Sequence, residues 1–199
     1  CTDVSVENSA ALRSAMREQL RLHPDSHSSA VESINVEIAR PDAGRLEFSY
    51  IVTGQIRTIR MPVPAANVRG NGLWRHTCFE AFVRASSDAE YYELNFSPSG
   101  QWAAYLFSSY RTDMRVADEI TAVSIKMHAS PDGCVLQASL DPGRFTGLPH
   151  DRSWHIGLSA VIEDTNGGMS YWALAHPPGK PDFHHADGFT CEFSPAVKA

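Results

Sequence analysis

The apolar positions of this chain recur with two different spacings. Over residues 9–21, Leu12, Met16 and Leu20 fall at i, i+4 and i+8, the spacing of one helix face. Ser9 is placed to cap such a helix, and Pro24, after His23, to end it. The spacing predicts an N-terminal helix over 9–21. Downstream the period drops to two. Ile34, Val36 and Ile38 alternate with polar residues, as do Leu46, Phe48 and Tyr50, with Pro41-Asp42-Ala43-Gly44 between them as a hairpin turn. Thr53-Gly54 interrupts, residues 56–61 continue as a strand, and Pro62 and Pro64 end it. Further strands are predicted at residues 77–84, 91–96, 102–107, 120–128, 134–140, 154–162, 169–175 and 190–193. Turn sequences separate them, such as Ser97-Pro98-Ser99-Gly100 and Asp164-Thr165-Asn166-Gly167-Gly168. About ten short strands without βαβ alternation predict an all-β sandwich or barrel. The division expected is residues 1–22 as a helical N-terminal segment and 23–199 as one β-sandwich domain.

Two of these strands can be resolved by face. Phe79, Ala81 and Val83 point one way, and Cys78, Glu80 and Phe82 the other. In the next strand Tyr92, Leu94 and Phe96 share a face, opposite Tyr91, Glu93 and Asn95. If the apolar sets share the core, Glu80, Glu93 and Asn95 lie together on the second face. A carboxylate between Cys and Phe residues suggests a partly covered surface carrying polar groups for a ligand. The competing reading is a structural ion pair of Glu80 with Arg75 or Arg111.

Composition narrows the classes. With 43% hydrophobic and 20% charged residues in 199, the chain can bury a sizeable core. Its 17 basic and 23 acidic residues give −6, with no Lys/Arg cluster, which predicts no nucleic-acid partner. Apolar-rich runs such as Trp102–Phe107 fall far short of the ~20 residues of a membrane span, so no transmembrane segment is predicted. Cysteines 1, 78, 134 and 191 include no CxxC pair, which argues against a zinc ribbon or a thioredoxin-like site. Cys78 and Cys191, inside apolar patterns, read as buried free thiols. If Cys1 is a trimmed edge, a cytoplasmic location is favoured; if it is a lipidated N-terminus, the protein is a periplasmic or surface lipoprotein.

Two stretches are dense in aromatic and polar side chains, 71–111 and 169–189. Rings stack on the apolar faces of a pyranose while carboxylates, amides and arginines bond its hydroxyls. Trp74 follows Asn71-Gly72 in a loop and is the ring best placed for exposure. His176, His184 and His185 with Asp182 resemble a metal cluster, but the spacing fits no standard zinc motif, and neighbouring histidines on an extended chain point apart. No metal is predicted. GxSxG, HExxH, P-loop and GxGxxG motifs are absent. Glu80 and Glu93 remain imaginable as a glycosidase pair. Haem would need axial His or Met ligands; Met61 and Met169 are present, without a CxxCH.

The runs GLWRHTCFEAFV, YYELNFSPSGQWAAYLFSSYR, LSAVIED and SYWALAHPPGKPDFHHADGF resemble the bacterial DOMON-like domains, relatives of the family 9 carbohydrate-binding modules. The resemblance spans roughly residues 20–193. It implies an immunoglobulin-like antiparallel β-sandwich of about ten strands, and ligand binding, with sugar or haem as the ligands of the wider superfamily. Family 9 modules pinch a terminal sugar between two tryptophans; Trp74 and Trp172 sit at suggestive early and late positions, with loose motif matching. The haem-binding ligand pair of the relatives matches no motif here.

The function expected is a non-catalytic binding module for a small carbohydrate or sugar-like ligand, on a concave sheet face or its rim. Trp74 stacks on the sugar, with Arg75 beside it. Glu80, Glu93, Asn95 and Arg111 bond hydroxyls, Trp102, Tyr110 and Trp172 contribute rings, and His176, Asp182 and His184 close one side. The alternatives are a haem-binding redox module and a sugar-acting hydrolase using Glu80 and Glu93.

Overall fold

The computed structural model describes residues 15–40, 44–86 and 88–193. Within them the strands are β1 (Met16–Leu22), β2 (Val31–Ala39), β3 (Leu46–Gly54), β4 (Cys78–Ala85), β5 (Tyr91–Phe96), β6 (Trp102–Phe107), β7 (Arg115–Val116), β8 (Val123–Ser130), β9 (Gly133–Leu140), β10 (Trp154–Glu163), β11 (Met169–Ala173) and β12 (Cys191–Phe193). All pair antiparallel in one curled sheet, in the order β7-β6-β5-β4-β10-β11-β1-β2-β3-β9-β8, with β12 beside β10.

Strand β1 is the corner. Its residues Met16 to Leu20 pair with β2, while Arg21 and Leu22 pair with β11. One strand thus belongs to both halves of the sheet, and the halves close over a common core. The inner residues of β3 meet those of β4 and β5 there: Phe48 lies 5.8 Å from Phe96 and Tyr50 lies 5.0 Å from Phe79, ring to ring. The Tyr50 hydroxyl donates to the Glu80 carbonyl at 2.6 Å, a polar tie through the buried interior. Trp154 fills one end of the core, edge-on to Phe145. Cys78, Cys134 and Cys191 are buried free thiols.

The helix expected over 9–21 is not formed in its described part: residues 16–22 are strand β1, and 9–14 lie outside the described residues. The period explains the difference. Met16 and Leu20, four apart, share a helix face but equally share a strand face, and Glu18 and Leu22 join them on the less exposed side. Partners on both edges then decide for the strand. Because β1 is shared by the two halves, a boundary at residue 22 cuts through the sheet. The strand expected at 56–61 is instead the 3-10 turn Ile56–Thr58 followed by one bridge, Ile59 to Asp164. Ile56 and Ile59 are the buried positions, three apart, which suits a 3-10 turn and breaks alternation. The hairpin turn expected at 41–44 falls mostly on residues outside those described.

Replacing Tyr50 by Phe removes the hydroxyl that joins the two halves while keeping the ring. Urea unfolding is expected to show a loss of about 1–3 kcal/mol, the cost of leaving a buried polar group short of a partner. An unchanged midpoint would mean that the bond contributes nothing.

Candidate functional site

Strands β4 and β5 are buried on both faces. Their inner faces carry Phe79, Ala81, Val83, Tyr92, Leu94 and Phe96 into the main core, as alternation predicts. On the outer face Phe82 and Tyr91 join Ala103, Tyr105, Phe107 and Phe189 in a second, smaller apolar cluster. Pro181, Phe183, His184 and Phe189 lie over this face. Gly157 of β10 permits the close approach: a Cβ there would sit 3.2 Å from the Gly188 carbonyl oxygen.

Between the sheet and this cover lies a cleft of about 410 Å³. Its floor holds Glu80 and Glu93, only 3% and 5% exposed. The ladder pairs Glu80 with Asn95 and Phe82 with Glu93, so the two acids are diagonal neighbours on adjacent strands. Trp74, Phe107, Tyr171 and Phe183 supply aromatic walls, with Val161 below and Met114 at the edge. Trp74 sits on the 3-10 turn Leu73–Arg75, half-buried, braced edge-on by Tyr105 at 5.7 Å.

The acids have neutral partners. Ser159 Oγ donates to Glu80 Oε2 at 3.2 Å, and Asn95 Nδ2 donates to Glu93 Oε1 at 2.7 Å. Burial pushes the Glu80 carboxyl well above the usual carboxylate range, and the Glu93 charge adds to the rise against the Ser159 bond. Burial likewise raises Glu93, opposed by the Asn95 bond and by Arg111. His184 is held neutral: burial first, then the Arg111 charge, lowers its pKa to about 4. Its Nδ1 lies 2.8 Å from the Tyr91 hydroxyl, which also accepts the Arg111 backbone N–H at 3.2 Å. The set is satisfied when Tyr91 donates to Nδ1 and the imidazole proton sits on Nε2, 3.7 Å from Glu93 Oε2.

Two loops meet at Asp182. Arg111 Nη2 donates to Oδ1 at 2.8 Å, the His184 N–H to the same oxygen at 3.1 Å, and the Tyr110 hydroxyl to Oδ2. Burial works against the Asp182 carboxylate, but the Tyr110 and Arg111 bonds prevail and hold its pKa below the ordinary value. Arg111 adopts a left-handed φ of 52°, a costly conformation for an arginine, and the neighbouring contacts hold it there.

Of the residues expected in a site, Trp74, Glu80, Glu93, Arg111 and His184 line this cleft. Asn95 lies under it, fully buried, and holds Glu93. Tyr110 and Asp182 stand beyond the rim, along a shallower groove lined also by His185 and Lys180. Four of the expected residues go elsewhere. Arg75 is exposed outside the cleft lining, and the ion pair of Arg111 is with Asp182, so the competing reading, an ion pair of Glu80 with either arginine, is not formed. Trp102 packs in the main core under the Arg69 guanidinium, 4.4 Å from its carbon to the ring centroid. Trp172 is also core, its Nε1 donating to Ser170 Oγ at 3.1 Å. His176 meets the Arg21 carbonyl at 2.8 Å and packs edge-on to His23. Parity explains the tryptophans. Trp102 pairs with Phe96 and Trp172 with Ala160, both inward positions; their neighbours Ala103 and Tyr171 face the other way. The same rule places Phe107, Val161 and Tyr171 on the cleft side. Met61 packs against the main core, and neither it nor Met169 lines the cleft.

No family model and no curated protein sequence matches the chain. A presumed carbohydrate-binding protein from Bacteroides uniformis ATCC 8492 superposes with a TM-score of 0.65 at 13% identity, over 88% of this chain and 84% of its own. That likeness shows a shared fold. Two structures of a family 9 carbohydrate-binding module from Caldicellulosiruptor kristjanssonii, with cellotriose and with glucose, align at TM-scores of 0.47 and 0.48 and 12% identity, each over 83% of this chain and 75% and 76% of theirs. Among the described residues no helix is long and apolar enough to cross a membrane.

Two measurements follow from the buried acids and the buried imidazole. A carboxyl whose folded pKa is raised favours folding below its unfolded pKa and loses that contribution as pH rises through the folded value. Glu80→Gln is therefore expected to gain stability over the wild type as pH rises from about 4.3, with the gap in urea unfolding widening upward. A gap constant with pH would contradict this. Imidazole NMR of His184 should show a neutral ring at pH 6 that protonates with a pKa of about 4; a midpoint at the ordinary histidine value would show that burial does not govern it.

Proposed function

We propose that the protein is a non-catalytic binding module for a small carbohydrate or sugar-like ligand held in this cleft. One observation carries the reading: a cleft of sugar size sets polar floor groups, Glu80 and Glu93, against aromatic walls that include the half-buried Trp74. A pyranose presents the same two chemistries. Its hydroxyls can donate to the carboxyls and accept from Arg111, while its C–H faces lie on rings. In this reading Trp74 is the stacking platform, Arg111 and His184 close the sides, and Asn95 orients Glu93. We also infer that the curled sheet is an immunoglobulin-like sandwich of the DOMON-like kind, related to family 9 modules. The fold shared with the Bacteroides uniformis protein makes sugars the first ligands to test.

The two carboxyls favour one second reading, a glycoside hydrolase. It needs one acid protonated and one ionised on either side of a glycosidic bond. Here both come from adjacent strands of one floor, which suits grip on one side of a ligand better than attack from two.

Thermal shift and calorimetry with neutral, acidic and amino monosaccharides test the proposal. A ligand at 100 times its dissociation constant should add about 2.7 kcal/mol to stability. Trp74→Ala is expected to weaken binding about tenfold without changing the fold. If no sugar raises the melting temperature, or if Trp74→Ala binds as the wild type does, the reading fails. Turnover of a chromogenic glycoside, lost in Glu80→Gln, would replace it with the hydrolase.

A further inference from the structure

We propose that the cleft selects an amino sugar bearing a free ammonium group over neutral and acidic sugars. This rests on the carbohydrate reading above and names the ligand class within it. The floor carries two acids that no lysine or arginine among the described residues contacts, though the Arg111 charge is felt at both. Arg111 is the cation among the lining residues, and its guanidinium is engaged with Asp182 at 2.8 Å, so those two charges offset each other at the rim. His184 is neutral and stands 3.7 Å from Glu93. Lys180 lines the outer groove and is absent from the cleft wall. What remains inside is the pair of buried carboxyls, Glu80 and Glu93, neither in an ion pair with a lysine or arginine among the described residues.

Glu80 also has unused bonding capacity. Ser159 satisfies Oε2, and no described residue donates a hydrogen bond to Oε1 of this almost fully buried side chain. A buried carboxylate without a counter-ion is costly, and two side by side more so. An ammonium group carries three donors and a positive charge, enough to reach both diagonally placed acids at once. A single hydroxyl offers one donor and no charge, and a carboxylate would bring another anion beside two buried acids, which is costly. The walls fit the same cation: Trp74, Phe107, Tyr171 and Phe183 line the cleft with the acids, and aromatic rings attract ammonium groups. Seating the amine would turn both floor acids into carboxylates and hold the sugar ring toward Trp74.

Calorimetry on the intact chain at neutral pH, with glucosamine, N-acetylglucosamine, glucose, glucuronate and ethanolamine, tests this. Glucosamine should bind about tenfold tighter than glucose, and glucuronate more weakly than glucose. N-acetylglucosamine, which lacks the charge, should fall back to the level of glucose. Glu80→Gln and Glu93→Gln, checked for an unchanged melting transition, should each weaken glucosamine binding by a larger factor than glucose binding and so remove most of the glucosamine preference. The wild-type ratios stand even if a variant fails to fold. Equal affinity for glucose and glucosamine would overturn the amine preference and leave the carbohydrate reading intact. Ethanolamine binding as tightly as glucosamine would show an amine site indifferent to the sugar and overturn the amino-sugar assignment. Binding of none would overturn both.

Discussion

Covering both faces of β4 and β5 takes two carboxylic acids out of water, and the outer layer is arranged around that fact. The inner faces must be apolar to meet β3, and Phe79, Ala81, Leu94 and Phe96 supply that contact. The outer faces carry Glu80, Glu93 and Asn95, which an exposed sheet would leave in solvent. Here a proline-rich segment and an aromatic cluster lie over them. Ionised acids in such a place would be expensive. The protein offers them neutral hydrogen bonds from Ser159 and Asn95, and burial moves both toward the protonated form. The result is a polar floor with capacity left for a ligand.

The walls come from parts of the chain far apart in sequence, and one acid joins them. Asp182 takes bonds from Tyr110, from Arg111 and from the His184 backbone. The loop after β6 and the cover over the sheet are therefore fixed to each other, with Arg111 held in an unfavourable backbone conformation to reach its partner. Such pre-assembly lowers the ordering cost of taking a ligand. Tyr91 extends the tie downward, since its hydroxyl meets both the Arg111 backbone and His184. The rim is thereby joined by hydrogen bonds to the imidazole 3.7 Å from Glu93.

Strand β1 sets the larger geometry. By pairing with β2 through most of its length and with β11 at its end, it turns a single sheet back on itself. Without that corner the β3 face would have no β4 face to pack against, and the bond from Tyr50 to the Glu80 backbone would not exist. The site residue Glu80 is thus positioned from behind by a tyrosine of the opposite half.

Alternation along β4 and β5 fixed which residues face the core and which share the second face, because side chains on a strand reverse with every residue. The same alternation places Trp102 and Trp172 inside and Phe107 and Tyr171 on the cleft side, whatever the size of the ring. Over 9–21 the pattern was ambiguous in principle, since residues four apart share a face at either period, and only the neighbours of β1 decide for a strand. Tertiary structure alone decided the rest: that Arg111 engages Asp182 and not Glu80, that His176 turns to β1 while His184 enters the cleft, and that a cleft exists at all. These depend on contacts between segments tens of residues apart, and spacing along a chain carries no information about which distant partner a side chain will meet.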